Sequence, residues 1–349
     1  MKKKRISAKL LALFLSCSML TFALVGCGGS GAEDGSSIET SESGETSKKE
    51  YTHRIIVMSD PHYMTNESQA TYNANHPGEN AAPSAGNAFG YTQTEKMSAV
   101  LSDVSKFAER EKVEGVLVLG DLGTDDYGYR NLSENYVQKF KDEIMVKFPG
   151  VAYALPGNHD SYPNDMWKEI FGYDRQYSVK IGDAAFIMLD TYADFSKVDA
   201  SGSQYSSIDV EWLEKELEKY PTEKIFLCCH FLNNKEANYK LNKILSENER
   251  IVCIFRGHTH ENEILICDDL NDEFLIDLGG YAYVGEKTDA GYNYNIYDNA
   301  WAWGFGVLEW NDTEAHYYHV KFDRTYTGSN GTFNFAGALE DDIILKFDE

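Results

Sequence analysis

The chain has 349 residues, 56 of them acidic against 32 basic, for a formal net charge of -24 at pH 7. With 42% hydrophobic and 13% aromatic residues it carries ample apolar material for a sizeable core, which excludes a largely disordered polymer. The acidic excess argues against a long polyanion such as nucleic acid as a partner, because holding one takes a basic face.

Lys2, Lys3, Lys4, Arg5 and Lys9 precede or open onto an apolar run over residues 10–25. A basic start followed by so short a run is the pattern of a secretory signal, since a membrane-spanning helix takes about 20 apolar residues. The run ends in Leu24-Val25-Gly26-Cys27, which resembles the lipobox of bacterial lipoproteins. That resemblance implies a signal peptide over residues 1–26, cleavage before Cys27 and a diacylglycerol on its sulfur. The mature chain is then exported and attached to the cell membrane by a lipid anchor at Cys27, without spanning it. The alternative is a plain secretory signal with a chance cysteine. Residues 27–52 are rich in Gly, Ser, Thr and Glu and too poor in apolar surface to fold, so they read as a flexible acidic tether. Residues 53–349 read as one folded domain, with no second linker and no internal repeat.

Five apolar runs in the folded part end at once in metal-binding residue types. Residues 54–58 lead into Ser59-Asp60-Pro61-His62, and 116–119 into Gly120-Asp121. Residues 151–155 and Pro156 lead into Gly157-Asn158-His159-Asp160, 225–229 into His230, and 251–256 into Gly257-His258-Thr259-His260. Segments 94–111, 134–148, 210–220 and 235–245 have apolar residues at helical spacing. Strands alternating with helices predict a mainly parallel sheet covered by helices, with ligands bound at the carboxyl ends of the strands. Beyond His260 the runs shorten or alternate, at 263–267, 273–278, 304–310, 316–322 and 343–347. These predict a second, partly antiparallel sheet that completes an α/β sandwich. Cys228, Cys229, Cys253 and Cys267 lie in or beside such strands and match no structural zinc spacing. They read as buried thiols, with a disulfide between neighbouring strands as the alternative in an exported protein.

Asp60, His62, Asp121, Asn158, His230, His258 and His260 supply seven oxygen and nitrogen donors, a set for Mn, Fe or Zn rather than for a thiolate site. One ion hardly uses seven protein ligands, whereas two ions sharing a carboxylate use them all, and Asp121 is the candidate bridge. An Asn-His pair alone also occurs in ordinary turns. The ordered set Asp-x-His, Gly-Asp, Gly-Asn-His-Asp, a lone His and Gly-His-x-His is more specific, and it resembles the calcineurin-like metallophosphoesterases over essentially the whole folded part.

The resemblance implies a four-layer αββα sandwich of two mixed β-sheets flanked by helices. It implies a metal-dependent phosphoesterase acting on a small phosphomonoester or phosphodiester with two divalent or trivalent ions. Asp60, His62 and His260 would hold one ion, Asn158, His230 and His258 the other, with Asp121 bridging them. Two adjacent cations lower the pKa of a shared water, so that a bridging hydroxide attacks, and they clamp the phosphoryl oxygens. By the same resemblance His159 is catalytic, giving a hydrogen bond to the transition state or a proton to the leaving oxygen. Asp160 has two readings, a carboxylate that orients His159 and a cap for a helix over 166–171.

Purple acid phosphatases, one branch of the family, carry a metal-binding tyrosine three residues after the bridging aspartate. Here that position is Thr124, so no ferric tyrosinate centre is expected. The chain is also too short for the long C-terminal domain of the family's 5'-nucleotidases. His53, His76, His316 and His319 match no motif position and read as surface or strand residues. Asp125 and Asp126 read either as acids reaching toward the metals or as solvated loop residues. Residues 63–93, with Tyr63, Tyr72, Phe89 and Tyr91, form either a lid or a surface insertion. Tyr281, Tyr283, Tyr292, Tyr294, Tyr297, Trp301 and Trp303 form either a wall for a base or sugar or core between sheets. Two competing functions stand beside the phosphoesterase: a non-catalytic surface binding module with structural metals, and a nuclease, against which the acidic charge argues.

Overall fold

The computed structural model describes residues 50–63, 93–123, 135–194, 198–199, 202–233, 239–260, 262–271, 273–279, 284–288, 291–297, 304–320, 324–328, 331–335 and 339–347. Cys27, His76, Thr124, Asp125, Asp126, Tyr281, Tyr283, Trp301 and Trp303 lie outside these residues, as do the expected signal, nearly all of the tether and most of the 63–93 loop. Among the described residues no helix is long and apolar enough to cross a membrane.

Strands β1 (His53–Met58), β2 (Gly115–Leu119) and β3 (Val151–Leu155) run parallel. Helix α1 (Gln93–Ala108) precedes β2, α2 (Tyr136–Glu143) precedes β3, and α3 (Asn164–Phe171) follows it. A hairpin of β4 (Tyr177–Ile181) and β5 (Ala184–Leu189) comes next, then the short β6 (Val198–Asp199) and β7 (Gly202–Ser203). Helix α4 (Val210–Leu217), β8 (Lys224–Cys229), α5 (Tyr239–Glu247), β9 (Ile251–Arg256), β10 (Asn262–Cys267) and β11 (Glu273–Leu278) follow in order. Besides the β6–β7 pair, the hairpins β12 (Val284–Thr288) with β13 (Gly291–Tyr297) and β16 (Arg324–Gly328) with β17 (Gly331–Phe335) stand outside the main sheets. Tyr292, Tyr294 and Tyr297 are therefore hairpin residues, placed by their backbone on β13. Strands β14 (Phe305–Trp310), β15 (Glu314–Val320) and β18 (Leu339–Lys346) return to β1.

Two mixed six-stranded sheets result, in the orders β18-β15-β14-β1-β2-β3 and β10-β11-β9-β8-β5-β4. Three apolar clusters define four layers. Ile56, Met58, Val116 and Val118 pack with Val100, Val104, Phe140 and Trp167 of α1, α2 and α3. Their neighbours Ile55, Val57, Leu117 and Leu119 face the other way, toward Phe186, Met188, Phe226 and Phe255 of the second sheet. Ile187, Leu189, Ile225 and Leu227 then meet Leu213 and Leu217 of α4 and Leu241 and Leu245 of α5. This is the strand alternation of period two, with both faces apolar because both are covered. Each fully buried side chain of this size contributes about 1.5–3 kcal/mol. Cys228, Cys229, Cys253 and Cys267 are free, buried thiols within these layers.

The sandwich agrees with expectation, but its partition into sheets does not. The five strands that end in the expected ligands do not share one sheet: β1, β2 and β3 lie in the first, β8 and β9 in the second. The later strands are likewise divided, with β14, β15 and β18 beside β1 and β11 and β10 beside β9. The strands that carry the expected ligands are apolar along most of their length, so their composition suits either sheet, and long-range pairing decides.

His53, His316 and His319 are strand residues, as expected. His316 lies between two carboxylates, with Nδ1 3.0 Å from Glu309 Oε1 and Nε2 against Asp342 Oδ1. Burial works to lower its pKa, but Asp342 and Glu309 prevail and lift it from 6.5 to about 9. A raised folded-state pKa means stability that is complete below the unfolded value of 6.5 and is lost as pH rises through about 9. Thermal melts should therefore decline between about pH 7 and about pH 10, and His316→Gln should flatten that part of the profile. An unchanged slope in the variant would remove His316 as its source.

Candidate metal centre

The turns after β1 and β2 are laced together by backbone hydrogen bonds. Asp60 N donates to Gly120 O at 3.0 Å, His62 N to Asp121 O at 2.9 Å and Tyr63 N to Leu122 O at 2.8 Å. Bonds through the Asp60 and His230 side chains join the second sheet to them, and a backbone bond ties its own two turns together. His258 N donates to Asp60 Oδ2 at 2.8 Å, Gly257 N donates to His230 O at 2.8 Å, and His230 Nδ1 donates to Leu119 O at 2.7 Å. The carboxyl ends of strands from both sheets thus open on one place.

The backbone is unusual there. Asp60, His62, Asp121, His258 and His260 all have positive φ, between 41° and 70°, which only Ser207 and Asn271 share among the described non-glycine residues. Such a conformation costs about 1–3 kcal/mol each and persists where the surroundings over-determine it, often at functional sites. Strain is concentrated in the turns that carry these clustered side chains.

The donors converge. Asp60 Oδ1 lies 3.2 Å from His260 Nε2 and 3.7 Å from His62 Nε2, and the two imidazole nitrogens are 3.3 Å apart. Asp121 Oδ2 lies 3.2 Å from His230 Nε2 and 3.5 Å from His62 Nε2, so it touches both halves of the cluster. Asn158 Oδ1 is 3.1 Å from His230 Nε2 and 2.9 Å from His258 Nδ1. Ligand atoms of Asp60, His62 and His260 lie within 4.8 Å of one another, as do those of Asp121, His230 and His258. All seven residues expected as ligands are therefore brought together. His159 belongs to a third such group with His62 and Asp121, its half-buried ring edge-on to His62 at 5.1 Å between centroids.

The charge balance shows what the cluster accommodates. Asp60 and Asp121 are fully buried, and burial alone would raise their pKa values. His230 and the other imidazoles around them hold both well below the usual carboxylate range. Burial works to lower His230, but Asp121 and Asp60 lift it to about 10. His258 goes the other way, pushed to about 4 by burial and by the charge on His230. Asp60 Oδ1 is buried without a hydrogen bond, a costly state for a carboxylate oxygen unless a cation meets it. Leu119 O can only accept, so His230 keeps a proton on Nδ1, which leaves Nε2, turned toward the cluster, as the nitrogen that a cation would displace a proton from. Buried carboxylate, carbonyl and imidazole donors in this density fit metal ions.

The family model for calcineurin-like phosphoesterases matches residues 53–262, from the first strand through the last ligand-bearing turn. The chain belongs to the calcineurin-like phosphoesterases. It is 26% identical over 169 residues to a protein of Arcobacter nitrofigilis described as a probable glycerophosphodiester phosphodiesterase. That alignment covers 43% of this chain and spans 58% of the relative's length. Among solved structures, GAP50, the anchor in the inner membrane complex of Plasmodium, aligns at 14% identity and a TM-score of 0.44 over 84% of this chain and 90% of that one. Vacuolar protein sorting 29 of Cryptosporidium parvum aligns at 12% identity and a TM-score of 0.36 over 83% and 99%.

Two glycines of this calcineurin-like phosphoesterase explain how the ligands come so close. A Cβ on Gly157 would stand 2.2 Å from Asp121 Oδ1, and one on Gly120, whose φ is +91°, would stand 2.5 Å from His230 Nδ1. Neither position has room for a side chain.

Asp160 takes neither role expected of it. Helix α3 begins after Pro163 with no side-chain cap, and the Asp160 oxygens accept from backbone amides instead. Leu122 N lies 3.1 Å from both oxygens, Gly157 N 2.9 Å from Oδ2 and Gly123 N 3.4 Å from Oδ1. The carboxylate thus staples the turn bearing Asp121 to the turn bearing Asn158 and His159. Burial and the nearby charge of Asp121 push it up to about 6 despite these bonds. Two residues that the sequence does not single out also hold the site. Arg256 pairs with Asp277 in the second sheet and donates to Leu232 O at 2.8 Å, just beyond His230. Arg175 anchors the turn after β3.

Proposed function

We propose that this calcineurin-like phosphoesterase hydrolyses a small phosphodiester with two metal ions bound in the cluster. Asp60, His62 and His260 would hold one ion, Asn158, His230 and His258 the other, and Asp121 both. The observation that carries the reading is Asp121 Oδ2, 3.2 Å from His230 Nε2 and 3.5 Å from His62 Nε2, between the two halves of the ligand set. Bound ions supply Lewis acidity, activating water near neutral pH and neutralising charge on the phosphoryl group.

The protein's own residues position and shuttle. His159 N donates to Asp121 Oδ1 at 2.8 Å, which leaves Oδ2 for the ions. The His159 ring, half-buried beside His62, gives a proton to the leaving oxygen. A diester is favoured over a monoester by the description of the Arcobacter relative. Bis-p-nitrophenyl phosphate and p-nitrophenyl phosphate, each assayed with added Mn and with chelator, test the reading. The expected result is metal-dependent turnover, faster on the diester. Two bound metals without turnover of either ester would make the protein a binding module instead.

We further propose that Cys27 carries a lipid that attaches the exported protein to the membrane. The basic start, the short apolar run and Gly26-Cys27 support it. Cys27→Ser should move the protein from the membrane to the soluble fraction. Unchanged fractionation would exclude lipidation at that residue.

A further inference from the structure

We infer that Arg175 is a positioning residue for the metal position built on Asn158, and for His159, through a cross-sheet clamp on the turn that carries them. The inference rests on the dinuclear reading above.

Asn158 and His159 leave from β3 in the first sheet, whereas His230 and His258 leave from β8 and β9 in the second. The spacing between Asn158 and the two imidazoles is therefore a spacing between sheets, which no strand ladder sets. Arg175, between α3 and β4, spans that gap. Its Nη1 donates to Asp160 O at 2.8 Å and to Tyr162 O at 2.7 Å, both in the segment that follows Asn158 and His159. Its Nε donates to Asp190 Oδ2 at 2.7 Å and its Nη2 to Asp190 Oδ1 at 3.2 Å. Asp190 directly follows β5, the strand paired with β8 in the second sheet.

Asp190 Oδ1 also accepts from Tyr192 N at 3.0 Å, and the Tyr192 ring lies 5.7 Å from His230 and 6.3 Å from His258. One guanidinium thus ties the turn of one metal-bearing residue to the segment packed on its two partners. Arg175 and Asp190 are 3% and 5% exposed, so the pair is shielded from competing water. The geometry calls for arginine. A planar fork of five donors meets the carbonyls of Asp160, Tyr162 and Tyr192 and a carboxylate together, which the single ammonium of lysine cannot do.

The Asp60, His62 and His260 position has its own tie between sheets, the bond from His258 N to Asp60 Oδ2. Loss of the clamp should therefore act on one metal position and spare the other. A purely structural role would lower stability without that asymmetry.

The test is calorimetric titration of the metal-free protein with Mn, with kcat and KM measured at saturating Mn. In Arg175→Lys the weaker of two binding steps should lose about tenfold or more in affinity, the stronger should stay within about twofold, and kcat should fall more than KM rises. Asp190→Asn keeps the side chain's shape and one acceptor oxygen, and should show the same asymmetry to a smaller degree. Leu345→Ala, in the core of β18 and remote from the site, is the stability control and should leave both steps unchanged. Equal weakening of both steps, or no change in either variant, would overturn the clamp. A wild-type protein that binds no second Mn would instead overturn the dinuclear reading on which it rests.

Discussion

Asp121→Ala should strip the protein of metal at both positions and lower turnover on the order of 10³-fold or more, because two bound cations supply several kcal/mol of transition-state stabilisation. The expectation follows from where the carboxylate lies. Oδ2 is 3.2 Å from His230 Nε2 and 3.5 Å from His62 Nε2, so one oxygen serves residues from both halves of the ligand set. Its removal also takes away a buried negative charge that offsets the imidazoles around it, and Asp60 remains to face them. Metal analysis of the purified variant by mass spectrometry is the check. Retention of one full equivalent would show that Asp121 belongs to a single ion and does not bridge.

His159→Ala should do the opposite, keeping both metals while kcat falls by about 10²–10⁴-fold. The backbone makes this separation possible. His159 N, not its ring, orients Asp121 at 2.8 Å, and alanine retains that amide. The size of the loss should depend on the leaving group. A p-nitrophenolate departs without a proton and should lose little, whereas an alkoxide needs one and should show the full effect. Equal losses for aryl and alkyl diesters would assign His159 to phosphoryl binding instead. Loss of metal would make it a ligand, as its grouping with His62 and Asp121 permits.

The ligand-bearing turns are legible in the sequence because each follows at once on an apolar run, so that order along the chain becomes position at a strand end. Asp60, Asp121, Asn158, His230 and His258 could be placed in that way without knowing which strands pair. The pairing itself is not legible. Ile225–Cys229 and Ile55–Met58 are equally apolar on both faces, and nothing in either composition says which sheet it joins. Strands β4 and β5 escape for a related reason. Ala184–Leu189 is wholly buried, but no metal-binding pair follows it, and its partner Tyr177–Ile181 is mostly half-exposed and alternates weakly.

Asp160 and Arg175 fail differently. Asp160 is held by backbone amides at Leu122, Gly123 and Gly157, and Arg175 reaches the carbonyls of Asp160 and Tyr162 besides the Asp190 carboxylate, and main-chain atoms carry no letter in a sequence. A residue that works by holding backbone is therefore visible only once the fold has brought that backbone to it.

In the proposed centre two sheets, each contributing strand ends, build two metal positions joined by Asp121. Anomalous diffraction from crystals grown with Mn tests it most directly. Two peaks are expected, one among Asp60, His62 and His260 and the other among Asn158, His230 and His258, with Asp121 coordinating both. A single peak, or two peaks that do not share Asp121, would contradict it.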